Sequence, residues 1–235
     1  MQEAKQGYNE RLFSGGLRAR LHYARFHWLR KQIVSCGCCV KHVLELGCFD
    51  GKALHFLPHF PEIYVGFDAN WEGGIDIAHQ QWAHMPQFRF IKATTPEEMV
   101  LQDNEIFDVG ICMETLEHIP PALVDGYLCK IARHLKGHFF VTVPNEKGVV
   151  FLAKRLAKKM MGHEVEPYTS AEVLHAVFGR MHKVARREHK GFDYAGMIQQ
   201  IARYFSIERV NGIPSFGILP PSLCLGVGIV AKSRQ

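Results

Sequence analysis

No stretch of this 235-residue chain reaches the roughly 18 consecutive apolar residues that a membrane-spanning helix needs. The first twenty residues (MQEAKQGYNERLFSGGLRAR) lack the apolar run of a secretory leader, so a cytoplasmic location is expected. The seven cysteines are odd in number and follow no regular framework, which excludes a disulfide-stapled mini-protein and suits a reducing compartment. Neither charge sign dominates: Lys and Arg exceed Asp and Glu by only five. There is no internal repeat and no low-complexity linker. What remains is a chain that is 47% hydrophobic and 22% charged, which excludes a disordered polymer and leaves enough apolar material for one full core.

That material alternates between two periodicities. Short apolar runs at 42–46, 63–67, 88–91, 107–112 and 139–143 read as strands, and helical patterns at 52–57, 73–84 and 123–135 lie between them. Strands alternating with helices predict an α/β, doubly wound, mostly parallel sheet. Two further strand-like runs, 205–211 and 224–232, predict an antiparallel edge hairpin and a total of seven strands. Residues 1–38 form an N-terminal helical segment, with Leu17, Leu21, Ala24 and Trp28 at helical spacing over 17–34. Residues 148–190 interrupt the alternation as a helical, basic insert, and the whole chain reads as one domain.

Val43 to Gly51 (VLELGCFDG) is the most informative segment. A strand runs into Gly47, where the missing Cβ lets backbone approach a ligand, and Gly51 is expected to do the same one turn on. Twenty-one residues after Gly47 the second strand ends in Asp68, the position from which a carboxylate accepts ribose hydroxyls in doubly wound folds. The dinucleotide fingerprint fails, because Phe49 and Lys52 stand where its second and third glycines belong, and no P-loop is present. What is left, E-x-G-x-x-x-G with a downstream Asp, resembles the cofactor site of the class I S-adenosylmethionine-dependent methyltransferases. The resemblance implies that Glu45, Gly47, Cys48 and Gly51 line the cofactor and that Asp68, with Ala69 and Asn70, holds the ribose. It also implies that Met113 and Glu114 border the site. Where the family often carries an Asp for the adenine amine, this chain has Lys92-Ala93-Thr94-Thr95, so Thr94 is expected to serve instead.

A second segment, Glu114-Thr115-Leu116-Glu117-His118, follows the fourth strand. On a helical turn positions 114, 117 and 118 share a face, at the sheet edge where chemistry is expected. The segment resembles the matching motif of the ubiquinone-biosynthetic O-methyltransferases and their wider group. Two roles stay open. His118, assisted by Glu117, would be a general base for an acceptor hydroxyl, since an imidazole titrates near ~6.5. Alternatively Glu114, Glu117 and His118 hold Mg²⁺ or another divalent cation, with His163 as fourth ligand, as the resemblance to metal-using small-RNA 2′-O-methyltransferases implies. The expected activity is O-methylation of a small-molecule, lipid-linked or glycan hydroxyl; RNA ribose methylation and non-catalytic cofactor binding are the alternatives.

Nine Lys or Arg against four Glu in 148–190 account for the whole net charge. Within it Val149, Leu152, Ala153, Leu156, Ala157 and Met160 form an apolar stripe, with Lys154, Arg155, Lys158 and Lys159 on the other side. The expected reading is a substrate cap that buries this stripe over the site; a peripheral contact of 148–162 with an anionic membrane is the alternative. Arginines and aromatics interleave over 18–30, but an amphipathic helix accounts for the aromatics, so no nucleic-acid partner is expected there. Cys36, Cys38 and Cys39 precede the first strand as C-x-C-C; no fourth ligand stands at suitable spacing, and ordinary thiols are expected.

Overall fold

A computed structural model describes residues 15–162, 165–187, 189–214 and 219–235. Seven strands form one sheet in the order β3-β2-β1-β4-β5-β7-β6: β1 (His42–Leu46), β2 (Ile63–Asp68), β3 (Phe88–Lys92), β4 (Phe107–Met113), β5 (Leu135–Pro144), β6 (Phe205–Ile213) and β7 (Gly226–Ser233). The first five pair in parallel, and β7 runs antiparallel between β5 and β6. The central strands are buried on both faces, which is why they read as continuous apolar runs rather than alternating ones.

Helices cover both faces. On one side lie α1 (Gly16–Ser35) and α2 (Gly74–Gln81), burying Leu29, Ile33, Ala78 and the adjoining Trp82. On the other lie α3 (Pro121–His134) and α6 (Tyr194–Ile201), burying Tyr127, Leu128, Ile131 and Ile201. The N-terminal helix is fixed tightly: Trp28 Nε1 donates to Asn211 Oδ1 at 3.2 Å, and a Cβ on Gly228 would stand 2.4 Å from the Trp28 ring. Between β5 and α6 the insert carries α4 (Gly148–Met160) and α5 (Ser170–Val177) around a small core of its own, in which Phe151 meets Ala176, Met181 and Val184.

Two expectations are corrected, and one helix had not been foreseen. The helix at 52–57 is a five-residue 3₁₀ segment, Lys52–Phe56, with Gly51 left-handed before it and Leu57 extended before Pro58. Helix α6 was hidden, because its eight residues follow the insert without a break in composition. The apolar stripe of α4 faces outward. Val150 and Phe151 point in, whereas Val149, Leu156 and Met160 are 60%, 53% and 88% exposed. The helix is rotated by its polar anchors: Lys154 binds Glu146 and the Asn145 carbonyl, and Arg155 donates to the Glu166 carbonyl at 2.9 Å over the Tyr168 ring. These two basic residues, expected in water, are the half-buried ones.

Candidate active site

Strands β1, β2 and β4 end at one edge of the sheet, where the strand order reverses on either side of β1. In open parallel sheets that switch point leaves a crevice. Here Gly47 opens it. Its φ is +79°, and a Cβ there would stand 1.9 Å from Thr115 Oγ1, so neither its conformation nor its neighbour admits a side chain. Gly47 N–H donates to the Phe67 carbonyl at 2.7 Å, tying the loop to the end of β2. Asp68 then orients itself on backbone: Oδ2 accepts from Phe49 N–H at 3.1 Å and Oδ1 from Asn70 N–H at 2.8 Å. Burial raises its pKa, and those backbone donors oppose the rise.

The crevice is lined by Glu45, Gly47, Cys48, Phe49, Asp50, Lys52 and Met113, and by Arg25 and Phe26 from α1. Glu45 is buried and accepts from Tyr64 Oη at 2.5 Å; burial pushes its carboxyl up to about 8. Arg25 was missed in the sequence. Its Nε is buried without a hydrogen-bond partner among the described residues, which leaves a cationic donor at the crevice. No local pattern marks it, because its place depends on how α1 crosses the sheet.

Other expected cofactor residues are engaged within the chain. Gly51, with φ +76°, has its open side against Trp82 Nε1 and Phe90 rather than the crevice, so its small size serves packing. Ala69 is exposed, and the Asn70 side chain is spent on Ile75 N–H and Asp76. Thr94 gives both its N–H and its hydroxyl to Glu98.

The second segment is a turn and not a helix. Glu114 adopts φ +51°, Thr115 Oγ1 donates to the Met113 carbonyl at 3.0 Å, and His118 N–H closes on the Thr115 carbonyl at 2.9 Å. The left-handed residue turns the Glu114 side chain toward Gly226, outside the ligand cluster but near enough for its charge to act on Glu117. Glu117 and His118 are instead joined by a residue the sequence did not suggest, His189, their ligand atoms all lying within 4.8 Å of one another. The rings of His118 and His189 meet edge to face at 4.5 Å. His189 is carried by a tight turn whose ends, Arg187 and Lys190, exchange backbone hydrogen bonds at 2.9 Å each way. Lys190 then pins the turn to Glu172 at 2.8 Å, inside the capping box that starts α5. His163, the expected fourth ligand, lies outside the described residues.

The electrostatics of this cluster are unusual. Glu117 is 1% exposed, and neither carboxylate oxygen has a hydrogen-bond partner among the described residues. Burial, and after it the charge of Glu114, raises its pKa well above the carboxylate range. Burial also depresses His189 to about 3, so its ring is neutral, and its buried Nδ1 has no hydrogen-bond partner among the described residues. A desolvated carboxyl group facing two imidazoles fits the donor set of a divalent cation. Beside it a cavity of about 150 Å³ is lined by Leu116, Ile119, Phe192, Met197 and Arg186, whose Nη2 donates to the Glu117 carbonyl at 2.6 Å.

Comparison with known proteins bears on the family and the fold. A family model described as a methyltransferase domain matches residues 19–201. A ubiquinone biosynthesis O-methyltransferase of Haemophilus ducreyi is 31% identical over 172 residues, covering 66% of this chain and 69% of the relative. One from Coxiella burnetii is 33% identical over 96 residues, 41% of this chain; the match spans only 39% of that relative's length. Among solved structures, an S-adenosylmethionine-dependent methyltransferase from Clostridium acetobutylicum superposes with a TM-score of 0.65 at 13% identity, covering 96% of this chain and 98% of the other. At that identity the likeness speaks for the fold.

Proposed function

Because the chain belongs to the methyltransferase domain family, among the class I S-adenosylmethionine-dependent enzymes, we propose that it methylates a hydroxyl oxygen with the help of a divalent cation. One observation carries this reading: the Glu117 carboxyl group is buried beside His118 and His189, and neither oxygen is hydrogen-bonded among the described residues. A general base at His118 would not need such a carboxyl group, whereas a cation would displace its proton and balance the charge left behind. The word O-methyltransferase in the names of the Haemophilus and Coxiella relatives supports oxygen as the acceptor atom.

S-adenosylmethionine, when bound, supplies an electrophilic methyl group, and a cation at the cluster would lower the pKa of a hydroxyl presented to it. The chain's own residues do the rest. Asp68, held by two backbone N–H groups, accepts from the ribose. Arg25 offers its unpaired donor to the cofactor's carboxylate. Glu117, His118 and His189 hold the cation at the mouth of the turn, and the cavity under Arg186 takes the apolar body of the acceptor. Orientation and exclusion of water by these walls supply the rate. Stripping the full chain with a chelator should reduce methyl transfer to a hydroxyl acceptor by about 100-fold, restored by Mg²⁺, Mn²⁺ or Zn²⁺. Undiminished transfer by metal-free protein would leave His118 as a general base and remove the cation from the reading.

The outward stripe of α4 favours a lipid-linked acceptor. Val149, Leu152, Leu156 and Met160 stand in water beside Lys158 and Lys159, an arrangement suited to an anionic bilayer surface. No helix among the described residues is long and apolar enough to cross a membrane. Sedimentation with phosphatidylglycerol vesicles should capture the chain, phosphatidylcholine vesicles should not, and Leu156→Glu with Met160→Glu should abolish capture. Equal capture by both lipids, or none, rejects the membrane contact.

A further inference from the structure

The C-x-C-C sequence meets further metal-ligating residues only in the fold. Cys36 caps the end of α1, and Gly37, left-handed at φ +62°, turns the chain so that Cys38 follows before β1. The fold then brings two residues from the other end of the sequence to this corner. His138, at the start of β5, places Nδ1 3.4 Å from Cys38 Sγ, and its Nε2 lies 3.1 Å from Glu208 of β6. Ligand atoms of Cys36, His138 and Glu208 lie within 4.8 Å of one another. Arg209 Nη2 donates to Cys36 Sγ at 2.8 Å, and Nη1 to Ser35 Oγ at 2.9 Å. This corner is at the amino-terminal edge of the parallel strands. Six residues of β5, about 20 Å, separate it from the strand end that faces the crevice.

We propose that Cys36, His138 through Nε2, and Glu208 form a metal site for a thiophilic divalent cation, Zn²⁺ by preference, distinct from the cluster at Glu117, with Cys38 on the imidazole's other nitrogen fixing the ring. A sulfur, an imidazole and a carboxylate are a mixed donor set that such an ion takes in tetrahedral geometry, with water in the fourth position. Ligand atoms around Zn²⁺ sit about 3.3–3.8 Å apart, so the present separations close by about 1.5 Å or less. One thiolate and one carboxylate match the charge of the ion, and the Arg209 guanidinium adds an N–H donor to the Cys36 sulfur.

The site's role follows from what it joins. It ties the carboxyl end of α1 to β5 and β6, and α1 is the helix that carries Arg25 and Phe26 to the crevice. Occupancy thus stiffens the wall that receives the cofactor, whatever the acceptor is and whether or not the Glu117 cluster holds a metal.

The test is a Co²⁺ titration of the reduced, chelator-stripped full chain. A sulfur-to-cobalt charge-transfer band in the near ultraviolet should grow to saturation at one equivalent. It should survive Cys39→Ser and His189→Ala, since the second cluster has no thiol, and vanish in Cys36→Ser. Should that variant fail to fold, Glu208→Gln alone should weaken Zn²⁺ binding by about tenfold or more. In the unaltered chain Zn²⁺ should shield Cys36 from a disulfide reagent. No charge-transfer band, a band that persists in the folded Cys36→Ser variant, or an unchanged thiol count would overturn the proposal.

Discussion

His189→Ala is expected to lower turnover by about 100-fold or more while changing S-adenosylhomocysteine affinity by no more than about threefold. The residue contacts neither Asp68 nor the glycine turn; its partners are Glu117 and His118. Raising the concentration of divalent cation should recover part of the loss, because a site deprived of one ligand still binds at higher metal. The same assay on Glu117→Gln should show a comparable loss with an unchanged or higher Tm. Removing a buried carboxyl group whose oxygens have no hydrogen-bond partner among the described residues relieves a desolvation cost even as it destroys function. Isothermal metal titration alongside initial rates would check both. If His189→Ala retains full turnover while His118→Ala loses it at every metal concentration, proton abstraction by His118 replaces the cation.

Gly47→Ala should be the most damaging single change at the sheet edge. Two effects add. A left-handed conformation costs an ordinary residue about 1–2 kcal/mol, and the new Cβ would overlap Thr115 Oγ1 at 1.9 Å. Thr115 cannot retreat freely, since its hydroxyl holds the Met113 carbonyl and its own carbonyl accepts from His118. Displacing it would disturb the turn that presents Glu117, so cofactor and metal binding should fail together. We expect a loss of about 3 kcal/mol or more in denaturant unfolding and no measurable cofactor uptake. Gly73→Ala is the control: it shares the left-handed backbone at φ +75° but its nearest neighbour is 3.6 Å away. That variant should lose only the conformational part, about 1–2 kcal/mol, and keep its cofactor.

The parallel half of the sheet was legible because each strand is a short apolar run ending in a turn residue, a signal that needs no tertiary knowledge. Gly47 and Asp68 were legible for the same reason: they sit at strand ends, and strand ends become the crevice. The remainder of the site depends on contacts between segments far apart in sequence. Arg25 reaches the crevice only because Trp28 seats α1 against Gly228. His189 reaches Glu117 only because Lys190 and Glu172 fasten its turn. Helical periodicity over 114–118 misled, because a left-handed Glu114 breaks the face that the spacing predicts. On α4 the stripe was real, but the polar anchors Glu146 and Glu166 decide which side faces inward.

Binding of S-adenosylhomocysteine to the folded full chain, measured by titration calorimetry beside Asp68→Ala, tests the cradle at Gly47 and Asp68 directly. One equivalent taken up by the unaltered chain, with at least about a tenfold loss in the variant, is the expected result. Folded protein that gives no binding heat over a range of temperatures, or an Asp68→Ala variant that binds as tightly as its parent, would contradict the assignment of this crevice to the cofactor.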